Sequence, residues 1–189
     1  MKKIISALLI FTIVITAKAQ CFLPNIDSLT IDEKIGQLIM IDVYSNKNQA
    51  ENERYLQLIK KYHLGGVIFF QGTPHKQLEL VKKFQTESKI PLFIGLDAEH
   101  GAGWRLKGAM TFPQMQTLGA ISEDSITQQI AKAISRHCRA TGVNMNFAPV
   151  ADVNNNPKNP IINTRSFGEI PERVAKNTIE YIEGSIEEG

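Results

Sequence analysis

Four short apolar runs alternate along this chain with stretches of helical spacing, and that alternation constrains the fold more than any other feature. The runs are "LIMIDV" (38–43), "GVIFF" (66–70), "PLFIGLD" (91–97) and "VNMNFAPV" (143–150). Each is short and rich in branched or aromatic residues, as a buried strand of a parallel sheet should be. The stretches between them predict helices. Thr30 is placed to cap "IDEKIGQ". "NQAENERYLQLIKKYHL" sets Tyr55, Leu58, Ile59 and Tyr62 at helical spacing and closes at Gly65 and Gly66. "PHKQLELVKKFQTES" buries Leu80, Val81 and Phe84. In "SEDSITQQIAKAISRHCRATG", Ser122 is the expected cap, Glu123 and Asp124 suit the first turn, and Ile126, Ile130 and Ile134 form the stripe. Pro171 opens the last helix, with Ala175, Ile179, Ile182 and Ile186 as its expected buried side.

Strands alternating with helices imply parallel βαβ units joined by right-handed crossovers. Two α/β architectures fit: a doubly wound open sheet, or a (β/α)8 TIM barrel of which only about the first half is present. A whole barrel takes about 250 residues, and "SIEEG" stops just past a helix, where another strand should begin. The chain is therefore expected to be truncated.

"MKKIISALLIFTIVITAKAQ" differs from the rest. Lys2 and Lys3 precede an uncharged apolar run, Ile4 to Ala17, and Ala17 to Ala19 supply small residues for cleavage. The run is short for a bilayer span and has the layout of a secretory signal peptide, residues 1–19, so export to the periplasm or beyond is expected, with no stable membrane insertion. Gln20 stands where a small residue should precede a lipidated Cys21, so ordinary cleavage before Gln20 is the reading. Removing Lys2, Lys3 and Lys18 leaves 18 basic side chains against 19 acidic ones, a net charge of −1. No basic face remains for nucleic acid. Cys21 and Cys138 lack metal-ligand spacing to a partner, so no metal or cofactor is expected, and their positions do not favour a disulfide.

Functional residues of parallel α/β folds gather at the carboxyl ends of the strands. The loops after strands one and two read as short or plain. Those after strands three and four are long: "DAEHGAGWRLKGAMTFPQ" and "DVNNNPKNPIINTRSFGE". They carry Asp97, Arg105 and Arg165, with Trp104 beside Arg105. A carboxylate and two guanidiniums suit a polyhydroxylated ligand, since one accepts from neighbouring hydroxyls and the others donate. Trp104 would add a platform for a sugar face. The plainer reading of the same residues is that Asp97 pairs with one arginine and ties the loops together.

"LFIGLDAEHGAGWRL", "TFPQMQTLGA" and "GVNMNFAPVADVNNNPKNPIINTRSFGE" resemble the N-terminal catalytic domain of glycoside hydrolase family 3, in its bacterial β-N-acetylglucosaminidase (β-hexosaminidase) branch. "EKIGQLIMID" and "GGVIFF" resemble the same family's opening strands, and the similarity covers residues 28–189. His100 departs from the hexosaminidase pattern, where Gly or Trp is more usual. The resemblance implies a TIM barrel and retaining hydrolysis of a terminal β-linked sugar, with a carbohydrate as the partner. It implies substrate-binding roles for Asp97, Arg105 and Arg165, the asparagine-rich loop carrying Arg165 into the pocket. Asp152 and Asn154 are expected to shape that loop; His63, His75 and His137 are read as structural.

Retaining hydrolysis needs a nucleophilic carboxylate and a proton donor. The resemblance places both beyond Gly189, so no catalytic residue is assigned within the chain. Asp97 and Glu99 are a tempting pair, but the resemblance gives Asp97 a binding role. The alternatives are a β-glucosidase of the same family, and a non-catalytic flavodoxin-like or sugar-binding module.

Overall fold

The structure, a computed structural model, describes residues 24–123 and 125–188. The leader, Gln20, Cys21 and Asp124 lie outside them. A short 3-10 turn (Ile26–Ser28) leads into helix α1 (Ile31–Gln37), whose start is a capping box. Thr30 Oγ1 accepts from the Glu33 N–H at 3.3 Å, and Glu33 Oε2 accepts from the Thr30 N–H at 2.8 Å. Four strand–helix units follow: β1 (Met40–Val43), α2 (Gln49–Tyr62), β2 (Gly66–Phe69), α3 (Pro74–Glu87), β3 (Phe93–Leu96), a short α4 (Met115–Gly119), α5 (Ile126–Ala140), β4 (Met145–Asn146) and α6 (Pro171–Glu187).

The four strands pair in parallel in the order β1-β2-β3-β4. A doubly wound sheet reverses its strand order at a switch point. No reversal occurs among these strands, and each new one adds on the same side, as in a barrel. Alternation along the strands turns Val43, Val67, Phe69, Ile94 and Leu96 towards the helices, where all are fully buried. Burying each such side chain contributes about 1.5–3 kcal/mol. Phe93, on the opposite face, is exposed, as is Phe147 just past β4. The helices thus cover one face of the sheet and leave the other bare.

Several boundaries differ from those the sequence predicts. Strand one begins at Met40, because the exposed Leu38 still belongs to the end of α1, donating its N–H to Ile35 O. Helix α2 is closed by His63 in the left-handed region, φ 50°, rather than by a glycine. Gly65 serves a close approach instead: its N–H reaches Gly36 O at 2.9 Å, and a Cβ there would stand 2.1 Å from Gln37 O. Ser122 does not cap α5; Ser125 precedes its first residue. Strand four is two residues long: its backbone still donates to Ile94 O and Leu96 O, but side chains take the β3 N–H groups on either side. Asn144 Oδ1 accepts from the Ile94 N–H at 2.7 Å, and Asn146 Oδ1 from the Ala98 N–H at 3.0 Å.

Helix α6 departs furthest from its expected face. It buries Val174, Asn177, Tyr181 and Gly184, while Ala175, Ile179, Ile182 and Ile186 are exposed. Helix α5 decides this. Thr127 Oγ1 donates to Asn177 Oδ1 at 2.6 Å, and a Cβ on Gly184 would stand 2.3 Å from Gln128 O, so the backbones meet there. Cys138, on the buried side of α5, has its thiol pushed up to about 12 by burial. Among the described residues, no helix is long and apolar enough to cross a membrane.

Candidate functional site

Asp97 stands one residue beyond β3, where the chain leaves the sheet. Arg105 returns to it across a 3-10 turn (Ala102–Trp104), and its Nη2 donates to Asp97 Oδ2 at 2.5 Å. Both side chains keep some exposure, 22% for Asp97 and 17% for Arg105. The Arg105 guanidinium carbon lies 4.9 Å from the Phe70 ring centroid and 4.5 Å from that of Trp104. Its Nε is buried without a partner.

Glu99 belongs to a second, separate pair. Arg165 Nε donates to both its carboxylate oxygens, at 3.1 and 3.0 Å, and Nη2 donates to Oε1 at 2.6 Å. The Glu99 side chain is 3% exposed and that of Arg165 is 36% exposed. These hydrogen bonds to Glu99 raise the Arg165 guanidinium above its ordinary pKa. From α6, the buried Tyr181 hydroxyl lies 3.2 Å from Glu99 O and anchors the loop from below.

The loop after β4 is ordered by its own side chains. Asn156 Oδ1 accepts from the Lys158 N–H, and Asn159 Oδ1 from the N–H groups of Ile161 and Ile162. Such side-chain turns explain the density of asparagine. Ser166 Oγ donates to Asp152 O at 2.5 Å, and the Asn154 N–H reaches Gly168 O at 2.9 Å, so residues 152 and 154 do shape the loop, through their backbones. Helix α4 joins the two long loops. A Cβ on Gly119 would stand 1.7 Å from Phe167 O, and Arg173 Nη1 donates to Gly119 O at 3.0 Å.

A cleft of about 440 Å³ opens here, walled by Glu99, His100, Trp104, Gln114, Met115 and Arg165, with residues 160–164 along its rim. Its size suits a small ligand. The His100 and Trp104 ring centroids are 5.0 Å apart, and burial lowers the His100 pKa, with Glu99 opposing the shift. A comparable cleft of about 390 Å³ between α1 and the end of α2 lies at the amino ends of the strands, where this fold places no chemistry.

The structure therefore brings Asp97 and Arg105 together and gives Arg165 to Glu99, so the two arginines do not share one carboxylate. Glu99 and Asp97 face different partners, because Glu99 already lies in the turn after β3, which the Gly101 N–H closes on Ala98 O at 3.1 Å. The reading that the first two loops are plain needs correction. Tyr44 and Phe70, each one residue past its strand, bring rings to the same rim, 6.0 Å apart. Their position at strand ends is the signal that could have found them. Among the described residues, no group of three His, Cys, Asp or Glu side chains could hold a metal ion.

Residues 30–189 match the glycosyl hydrolase family 3 N-terminal domain. β-Hexosaminidase A of Pseudoalteromonas piscicida is 31% identical over 174 residues, covering 78% of this chain and 29% of that protein. The solved family 3 β-N-acetylglucosaminidase of Paenibacillus superposes with a TM-score of 0.74 at 33% identity, over 85% of this chain and 32% of that one. A β-glucoside phosphorylase bound to 2FGlc superposes with a TM-score of 0.79 at 28% identity, over 86% of this chain and 29% of that one. This chain thus spans less than a third of the length of each. With a sequential parallel sheet, two acid–guanidinium pairs at its carboxyl rim, and a family match over nearly all the described residues, the chain belongs to glycosyl hydrolase family 3.

Proposed function

We propose that this chain supplies the sugar-binding rim of an exported retaining glycosidase that removes terminal β-linked N-acetylglucosamine from glycans such as peptidoglycan fragments or chitooligosaccharides. The Asp97–Arg105 pair carries the reading: it stands at the carboxyl end of β3 and is only partly covered. Its carboxylate can accept from two neighbouring sugar hydroxyls while the guanidinium donates to ring substituents, which are charge-assisted contacts. Trp104 offers an apolar face beside it. Glu99 holds Arg165 against the adjoining cleft, where the guanidinium is open to a ligand. Both carboxylates of the β3 loop are engaged by arginines; Asp97 is read as a binding group and Glu99 as the support of Arg165. The nucleophile and proton donor that retaining hydrolysis needs are assigned outside this chain.

The relatives' names support N-acetylglucosamine as the sugar. The likeness to a β-glucoside phosphorylase favours a second reading, in which the glycone is glucose. The test is to express the full-length protein and measure kcat/KM on aryl β-N-acetylglucosaminide and aryl β-glucoside, each with and without phosphate. A tenfold preference for the first sugar, independent of phosphate, is the expected result. Preference for glucoside establishes the second reading, and turnover of neither sinks both. The leader reading is tested by the mature N-terminus, expected at Gln20 in an exported fraction; Met1 retained in a cytoplasmic fraction overturns it.

A further inference from the structure

The two arginines of the site are held in different ways. Arg165 grips both oxygens of Glu99, which fixes the plane of its guanidinium. Arg105 makes one hydrogen bond to Asp97, through Nη2, and that single contact leaves its plane free to rotate. Rings supply what the carboxylate does not. The Arg105 guanidinium carbon sits over both rings, 4.9 Å from the Phe70 centroid and 4.5 Å from that of Trp104. Behind Phe70 the stack continues: Tyr44 lies 6.0 Å away at 28° between planes, and Lys47 Nζ sits 5.2 Å from the Tyr44 centroid. Beyond Trp104 comes His100. Side chains from the loops after β1, β2 and β3 thus form one run across the carboxyl rim, with Arg105 inside it.

We propose that Phe70 is a positioning residue for ligand recognition, acting through Arg105. A guanidinium stacked on rings keeps its N–H donors in the plane of the group, free for hydrogen bonds. Arg105 spends one of those donors on Asp97 and its Nε is buried, so the donors left for a ligand are those of the outer Nη groups. The ring contacts therefore leave the outer Nη donors to a hydroxylated ring gripped by Asp97. Tyr44 and Lys47 support Phe70 from behind and need not touch the ligand. This inference rests on the glycosidase reading proposed above.

The test is a double-mutant cycle on the full-length protein, with the better of the two aryl glycosides as probe. Phe70→Leu removes the ring face while keeping an apolar filler, and should raise KM about fivefold with kcat within about twofold, as the loss of one cation–π contact predicts. Phe70→Tyr keeps the face and should restore wild-type KM. In an Arg105→Ala background, Phe70→Leu should change KM by less than about twofold, since its target is gone. If Phe70→Leu does not fold, Phe70→Met carries the same expectations. An unchanged KM in the single variant, or the same fivefold rise in the Arg105→Ala background, overturns the inference. Wild-type protein that turns over neither sugar refutes the glycosidase reading itself, a distinct outcome.

Discussion

Truncating Arg165 should destabilise the protein more than truncating its partner Glu99. The two side chains make the same three hydrogen bonds, so a contact tally gives them equal weight. Their surroundings differ. Glu99 is 3% exposed and Arg165 36% exposed. Arg165→Ala leaves a buried carboxylate with no counter-charge, and losing one partner of a buried pair costs about 3–5 kcal/mol. The exposed arginine puts this pair near the lower end, about 3 kcal/mol, or a fall in Tm of roughly 6–12 °C for a protein of this size. Glu99→Ala leaves a guanidinium that water can reach, and its cost should stay near 1 kcal/mol, the scale of a surface pair. The neutral isostere supplies the control: adding Glu99→Gln to Arg165→Ala should recover about half the loss, because the unpaired charge is gone. Urea and thermal unfolding of the four proteins measure this. Equal costs for the two alanine variants, within about 0.5 kcal/mol, would show that burial of the Glu99 charge does not decide the energetics.

Asp97→Ala should lower kcat/KM at least about 30-fold, roughly 2 kcal/mol, by removing charge-assisted contacts to the ligand and releasing Arg105; a change under about threefold in steady-state assays would remove Asp97 from the site. Glu33 is lowered from 4.5 to about 2, first by the Lys89 hydrogen bond and then by those from Thr30. With the folded pKa below the unfolded one, its stabilisation is complete above pH 4.5 and is lost as pH falls towards 2. Glu33→Gln should therefore flatten the acid limb of a stability–pH profile, and an unchanged limb would refute the assignment. His100 is lowered from 6.5 by burial, so the unfolded chain takes up the proton first. Stability carries no penalty from it above pH 6.5 and decreases as pH falls below that value. His100→Gln should remove this slope, and emission from Trp104, the protein's one tryptophan, should report the protonation at 5.0 Å; a pH-independent emission would show that the ring does not titrate there.

What the sequence determined by itself was local. The apolar runs at 66–69 and 93–96 became strands, and Thr30 with Glu33 formed the capping box that its spacing announces. Leu80, Val81 and Phe84 were buried on α3 as their period required. Asp97 and Arg105, eight residues apart on one loop, met as a local pair. Tertiary structure decided the rest. Periodicity shows which residues of a helix share a side, not which side a neighbour will cover. Thus α6 turned Asn177 and Gly184 inward, where Thr127 satisfies the amide and the α5 backbone comes too close for a Cβ, and left Ile179, Ile182 and Ile186 outside. The partner of Arg165 lies 66 residues away on another loop, and no spacing rule reaches across that distance. Tyr44 and Phe70 read as ordinary ends of apolar runs, and became part of the Arg105 stack only when parallel pairing set β1, β2 and β3 side by side with their carboxyl ends on one rim.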